Sequence, residues 1–252
     1  MGLKEKLLTG TALAPPRILI YGPPGVGKTS FAAGAGDGVV CIATEEGADV
    51  VGMNRFPLAE SVGDVMGALD QLINEKHEFS VVCIDSLDWF ETLTWDQACA
   101  DAGVKSVEEI GGGYGKGYLK ALELHRQLLG KLTQLRREKN MACVLLAHSQ
   151  VRRFEDPTTE AFDRFEIKLH KRASDLYTEF CDIVGFANVK TTTRETTGDF
   201  GKKKVKPVSS GERILRTASR PNFVAKTRYA IPDELPLDWS ALINAIKGKK
   251  NG

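Results

Sequence analysis

The chain is poor in features that would tie a fold together covalently or carry it across a bilayer. Its 252 residues contain five cysteines, Cys41, Cys83, Cys99, Cys143 and Cys181, with no C-x-x-C pair and no metal-ligand spacing among them. That excludes a disulfide framework and a cysteine-built zinc module. Cys41, Cys83 and Cys143 sit in apolar runs and read as small buried hydrophobes of a reducing compartment. The four histidines, His77, His125, His148 and His170, are scattered, so no zinc site is expected from them either. No apolar run reaches the roughly 18 residues of a membrane-spanning helix, and the mixed opening stretch has no signal-peptide layout. A cytoplasmic protein without membrane contact is expected.

What is present fits a globular protein. Hydrophobic residues make up 42% and charged residues 27%, an ordinary balance, and the length suffices for one large domain with a full core. We expect residues 1–14 to be a short N-terminal segment, 15–247 a single domain and 248–252 a basic tail. The net charge of +1 hides an asymmetry: residues 1–150 hold 14 Lys/Arg against 19 Asp/Glu, residues 151–252 hold 20 against 14. A basic C-terminal part is expected to face an anionic partner or, equally, to be a solvated surface.

Short Val/Ile/Leu-rich runs at 17–21, 39–43, 81–85 and 142–147 alternate with helical patterns at 61–76 and 118–138. Buried parallel strands joined by crossover helices are the expected result. After Asp182 the texture changes. Runs at 183–193 and 212–217, and a further one at 222–228, predict antiparallel strands at the sheet edge, with a mobile connection around 196–204. A last helix is expected at 239–247.

The run Gly22-Pro23-Pro24-Gly25-Val26-Gly27-Lys28-Thr29 follows the first strand and precedes Ser30-Phe31-Ala32-Ala33, which can open a helix. It fits G-x-x-x-x-G-K-[ST], a loop whose glycines let backbone N–H groups close on phosphates. Gly22 to Ser30 would therefore cradle a nucleotide triphosphate, with Lys28 on the β/γ-phosphates and the Thr29 hydroxyl on Mg²⁺. ATP and Mg²⁺ are the implied cofactors.

Further polar groups end the neighbouring strands. Asp85 closes the apolar run from Val81 and can hold Mg²⁺ through water, with Asp88 as the alternative. Ser86 follows it, so a water-activating base must come from elsewhere. Glu45, ahead of Glu46, emerges from the strand at 39–43 and can orient a water. His148 or Gln150, after the strand at 142–147, can sense the γ-phosphate. Two flanking stretches read as either surface loops or nucleic-acid contacts: the Gly-rich segment with Tyr114, Lys116 and Tyr118, and the stretch with Arg152, Arg153 and Phe154 that runs on to Lys171 and Arg172. Aromatics stack on bases and cations pair with phosphates.

The order of these parts resembles the ATPase core of the RecA/RadA recombinases over residues 15–190. More narrowly, through Gly113–Tyr118 and residues 220–228, it is similar to the compact RecA-like single-strand annealing proteins of bacteriophages. The resemblance implies a RecA-like P-loop NTPase fold of α/β class, with a mainly parallel central sheet flanked by helices and antiparallel C-terminal strands. It also implies DNA-coupled ATP hydrolysis with Glu45 activating water and Gln150 sensing the γ-phosphate. Single-stranded DNA would be the partner, along with a single-strand DNA-binding protein. A ring or filament of identical copies would let Lys226 and Arg228 reach a neighbour's nucleotide. A P-loop kinase, or a non-catalytic ATP-dependent switch or loader in DNA replication, shares the same loop.

Overall fold

The computed structural model describes residues 14–47, 51–155, 160–197 and 203–248. The expected segment 1–14 and tail 248–252 therefore lie almost wholly outside the described residues.

The apolar runs become β1 (Arg17–Gly22), β2 (Val39–Ala43), β4 (Val81–Asp85) and β5 (Ala142–Phe154). With β3 (Asn54–Arg55) and β7 (Ile183–Thr197) they form the parallel part of a sheet ordered β7-β1-β5-β4-β2-β3. Every residue of β2 and β4 is buried, because both faces of the sheet are covered, and so an apolar run rather than an alternating one encodes these strands. On one face Leu19, Ile42, Ile84 and Leu145 pack under α2 (Val62–Asn74) and α4 (Lys116–Glu138) through Leu69, Leu72, Leu128 and Leu132. On the other, Ile18, Ile20, Cys83 and Val144 meet Phe31 of α1 (Lys28–Ala33) and Leu242 of α6 (Trp239–Ile246). Ser61 caps α2 by accepting from the Asp64 N–H at 3.1 Å, the usual way of satisfying an unpaired N-terminal donor.

The C-terminal strands are antiparallel. β8 (Lys203–Arg216) pairs with β7 over most of their length, with a bulge between Val189 and Thr191. β9 (Lys226–Thr227) adds to the start of β7, and β10 (Glu234–Pro236) to β8. This is the α/β architecture read from the sequence, a mostly parallel sheet with antiparallel additions. The strands of the β7–β8 pair reach further than expected, to Thr197 and from Lys203. The rest of the connection expected to be mobile, 198–202, is outside the described residues.

One region differs from the sequence reading. The stretch after Gln150 is not a loop. β5 continues to Phe154 and pairs with β6 (Phe162–Ile167), setting Phe154 against Phe162 with ring centroids 5.5 Å apart. Such cross-strand aromatic pairs stabilise a hairpin. The Gly-rich segment remains a turn over Gly111–Gly115, where every φ is positive, from 55° at Tyr114 to 91° at Gly113, and only its last residues join a helix, α4, which opens at Lys116. Gly117 belongs inside that helix because a Cβ there would come 1.9 Å from the Val107 carbonyl oxygen.

Two helices were not expected: α3 (Leu87–Ala102) and α5 (Lys171–Phe180). α5 carries apolar residues at helical spacing, Ala173, Leu176, Tyr177 and Phe180, that pack on the core; α3 lacks such a stripe. The inward face of α3 mixes Leu87 and Phe90 with Asp88, Glu91 and Thr94, all buried. Those polar groups erase the apolar periodicity that marks an ordinary helix.

Candidate active site and nucleic-acid interface

Strand register builds the site. Gly22 of β1 is level with His148 of β5, Leu146 of β5 with Asp85 of β4, and Asp85 with Ala43 of β2. The residues that follow each strand therefore emerge along one C-terminal edge, where open α/β sheets bind ligands. A cavity of about 410 Å³ lies there. Gly25, Gly27, Lys28, Thr29 and Ser30 line it from the loop, facing Glu45, Asp85 and His148.

The loop has the backbone geometry its glycines permit. Gly25 and Gly27 have φ of 74° and 103°, left-handed values that favour glycine. Gly22 lies so close to β7 that a Cβ would come 2.3 Å from the Ala187 carbonyl oxygen. The buried Lys28 amine donates to the Gly22 and Pro23 carbonyls, each at 3.2 Å. Burial lowers its pKa, while Asp85, Glu45 and Asp88 pull the other way. The amine is thus held inside the curve of the loop, where a phosphate would otherwise leave anionic oxygens uncompensated.

Thr29 Oγ1 donates to Asp85 Oδ2 at 2.7 Å. Asp85 is 3% exposed. Burial raises its pKa, opposed by the Thr29 hydrogen bond and by Lys28. A hydroxyl and one carboxylate converging at the phosphate cavity form the sparse hard-oxygen set that Mg²⁺ takes when phosphates and waters complete its shell. Among the described residues no cluster of three or more His, Cys, Asp or Glu could hold a metal. Pro23, Pro24 and Val26 complete the loop. Val26 is buried in the core, and its N–H bonds back to the Pro23 carbonyl.

Glu45 lines the same cavity as Lys28. Burial raises its pKa; His148 lowers it, and Asp85 and Asp88 raise it further. A carboxylate tuned upward in this way is a better proton acceptor from water near neutral pH. The neighbouring backbone is fixed by Thr44, whose Oγ1 donates to the Ser86 carbonyl at 2.7 Å and accepts the Ser86 N–H at 2.9 Å. Asp88 is turned away from Thr29. It accepts the His148 N–H at 2.9 Å and sits 2.9 Å from His148 Nδ1.

Of the two residues considered as phosphate sensors, His148 lines the phosphate cavity and Gln150 does not. Gln150 donates to the Ile167 carbonyl at 2.9 Å and lines a second cavity. Lys226 and Arg228 sit at the opposite, N-terminal edge of the sheet, since Lys226 pairs with Val184 at the start of β7. Lys226 donates to the Thr178 carbonyl, and Arg228 bonds Asp182 Oδ1 at 3.0 Å. Neither reaches this chain's own phosphate cavity. Arg213, by contrast, carries no sequence signal and lies at the site. It projects from β8 over the phosphate loop, and its Nη1 would lie 2.9 Å from a Cβ on Gly27. No motif marks it, because only the β7–β8 register brings it there. A larger cavity of about 690 Å³ adjoins, sharing Glu45, Glu46 and Gly47 and bounded by Arg55, Phe56 and Leu58.

The expected nucleic-acid residues group beyond His148. Arg152, Arg153, Phe154 and Lys171 line a cavity of about 370 Å³ beside the β5–β6 hairpin, together with Arg164. The Arg164 guanidinium stacks over the Phe154 ring at 3.7 Å. Lys171 is also paired with Asp175 at 3.0 Å. Arg172, next on α5, is exposed and does not line that cavity. Tyr118 stacks on His170, ring centroids 4.4 Å apart. Lys116 donates to the Gly111 carbonyl at 3.0 Å. Tyr114 projects from the Gly-rich turn and is 99% exposed.

No curated protein matches this chain. Among solved structures it is similar to the crystal structure of the RadB recombinase, at 16% identity over 84% of this chain and 86% of that one, with a TM-score of 0.44. A family model described as an AAA domain matches residues 14–229, a span that holds the phosphate loop, Glu45, Asp85, His148 and Arg213, and the chain belongs to that AAA domain family.

Proposed function

We propose that this AAA-domain protein is an ATPase that binds single-stranded DNA in its ATP state and promotes annealing or recombination of DNA strands. One observation carries the reading: a single strand, β5, holds His148 in the phosphate cavity and Arg152 and Arg153 on the cationic hairpin. The distance between nucleotide and DNA contacts is then a few residues of continuous backbone, short enough for one to bias the other.

In the proposed cycle the loop Gly22–Ser30 binds the triphosphate, and Lys28 and Arg213 compensate its charge. Mg²⁺ on Thr29 and Asp85 would neutralise the β/γ-oxygens. Glu45 accepts the proton of the attacking water, and His148 registers whether the γ-phosphate is present. Asp88 fixes the His148 ring and backbone and transmits that state toward Lys168, whose amine is 3.7 Å from Asp88 Oδ2. Tyr114, Lys116, Tyr118, Arg152, Arg153, Phe154, Lys171 and Arg172 supply the DNA surface. The hairpin is braced by a stack of Phe165, Phe186 and Phe223, which ties it to the sheet and lets its position follow β5. Assembly of several copies, with Lys226 and Arg228 reaching a neighbour's nucleotide, and cooperation with a single-strand DNA-binding protein belong to the same proposal.

The salt dependence of DNA binding tests the surface. Each phosphate that is no longer neutralised lowers the slope of log K against log salt by about 0.7 for a single strand. The double variant Arg152→Ala/Arg153→Ala is expected to bind more weakly, with a slope reduced by about 1.4 for two such phosphates. An unchanged slope places the DNA elsewhere.

A further inference from the structure

We propose that the cavity between α3 and the start of α5 is a nucleobase-binding site, which captures one unstacked base of a single strand while the flanking phosphates lie on the neighbouring cations. The inference rests on the single-strand reading above and adds to it a specific subsite, built largely from residues outside the expected DNA-binding set.

The cavity holds about 380 Å³, within the range of small-molecule sites. Its walls are aromatic: Trp89 and Trp95 from α3, and Tyr118 stacked on His170. Trp95 meets the Tyr118 ring edge-on, centroids 5.7 Å apart, which fixes both rings. Trp89 is 50% exposed although it borders a cavity. Its open ring borders the same space as Trp95 and Tyr118, so a base laid against it would cover apolar surface on several aromatics at once.

The polar groups match a base and its phosphates. Glu91, 5% exposed on the cavity wall, accepts the His170 N–H through both carboxylate oxygens at 2.9 and 3.0 Å. Gln150 borders the same space. Arg152 and Lys168 stand at the cavity as cations, and Arg152 also lines the adjoining cationic cavity with Arg153 and Lys171. A strand can therefore place a base among the aromatics and continue its backbone along the arginines. Asp88 lines the base cavity and holds His148 of the phosphate cavity. Occupancy of the two cavities is joined through one carboxylate.

The test separates base from phosphate. Fluorescence anisotropy compares a labelled oligodeoxynucleotide with a strand of equal length that is abasic at every position, both with ATP and Mg²⁺. The wild-type protein should prefer the base-bearing strand by about 5- to 100-fold, the range of base–aromatic stacking. Trp89→Ala should lower the preference by about fivefold or more, the loss of one base–aromatic stack, and leave abasic binding unchanged, and Trp89→Phe should restore most of it; an undiminished preference in Trp89→Ala overturns the base site. Because Trp89 is half exposed, these substitutions leave the core intact. Equal wild-type affinity for the two strands overturns the base site but leaves the DNA-binding reading standing. Loss of both affinities together in Trp89→Ala likewise overturns it. Binding of neither strand by the wild-type protein removes the DNA-binding reading itself. As a second readout, tryptophan emission quenched by the base-bearing strand should be quenched less in Trp89→Phe; quenching equal to wild type contradicts a base stacked on Trp89.

Discussion

Glu45 and Asp85 are both carboxylates raised by burial, yet their surroundings separate their tasks. Asp85 is held by the Thr29 hydroxyl at 2.7 Å and by the field of Lys28, which suits a charge kept for a cation. Glu45 is raised further by Asp85 and Asp88 and opposed chiefly by His148, which suits a group that takes up a proton. Glu45→Gln is expected to bind ATP with little change but to lose turnover by about 10²- to 10⁴-fold, read by paired nucleotide-binding and hydrolysis assays; turnover within about twofold of wild type removes Glu45 from the chemistry. Arg213 stands over the loop and forms no ion pair among the described residues. Arg213→Ala should slow hydrolysis by about 10²-fold, the cost of removing one preorganised charge donor. If hydrolysis is unchanged, the arginine serves only the surface. These residues differ in how far the sequence exposed them. Glu45, Asp85 and the phosphate loop each end an apolar strand, so strand recognition alone places them on one edge. Arg213 occupies its position through an antiparallel register that no local pattern specifies.

At the scale of elements, α3 joins the two cavities. Its first turn presents Asp88 to His148, the next presents Glu91 to the His170 N–H, and Trp89 and Trp95 line the aromatic cavity. A helix whose buried face carries two acids cannot show the apolar stripe by which α2 and α4 are recognised, and that is why the sequence hides it. The β5–β6 pair is hidden for a related reason: Arg152 and Arg153 interrupt the apolar run, and the contacts between the strands include the Phe154–Phe162 rings and the Arg164 guanidinium over Phe154. If α3 couples the cavities, Asp88→Asn should lower the ratio of DNA-stimulated to basal ATP hydrolysis toward one, because the amide replaces the carboxylate that accepts the His148 N–H and meets its Nδ1. A wild-type ratio in that variant assigns Asp88 a structural role only.

At the scale of the molecule, the fold buries several acids, among them Asp85, Asp88 and Glu91, at a cost in stability that depends on pH. Burial pushes the Glu91 pKa up to about 7, with the His170 N–H bonds lowering it and Asp88 raising it; Arg152 and the neutral His125, itself held down at about 3 by burial, also face it. The folded value lies above the unfolded one of 4.5, so Glu91 favours the folded state fully below the unfolded pKa and loses that contribution as pH rises through about 7. Chemical denaturation of wild type and Glu91→Gln at about pH 5 and about pH 8, on either side of the folded value, should show the glutamine variant gaining relative to wild type at the higher pH. A difference independent of pH contradicts the assignment. The opposite edge of the sheet is held by Asp182, where burial raises the carboxylate's pKa but Arg17 outweighs it and holds it low. Arg228 shares that carboxylate, so any reach toward a neighbouring copy has to break an existing ion pair. The parallel strands, α2 and α4 were legible because burial writes apolar patterns into them, and the polar residues at the strand ends were legible with them; α3 and the β5–β6 pair, whose buried or paired faces carry charged residues, were not.

The most direct measurement is the anisotropy of a labelled single-stranded oligonucleotide and of its duplex, titrated with the protein in ATP·Mg²⁺, in ADP·Mg²⁺ and without nucleotide. Tight binding of the single strand is expected in ATP·Mg²⁺, weaker binding in the other two states, and lower affinity for the duplex throughout. Affinity that ignores the nucleotide, or no binding in any state, would contradict the proposed function.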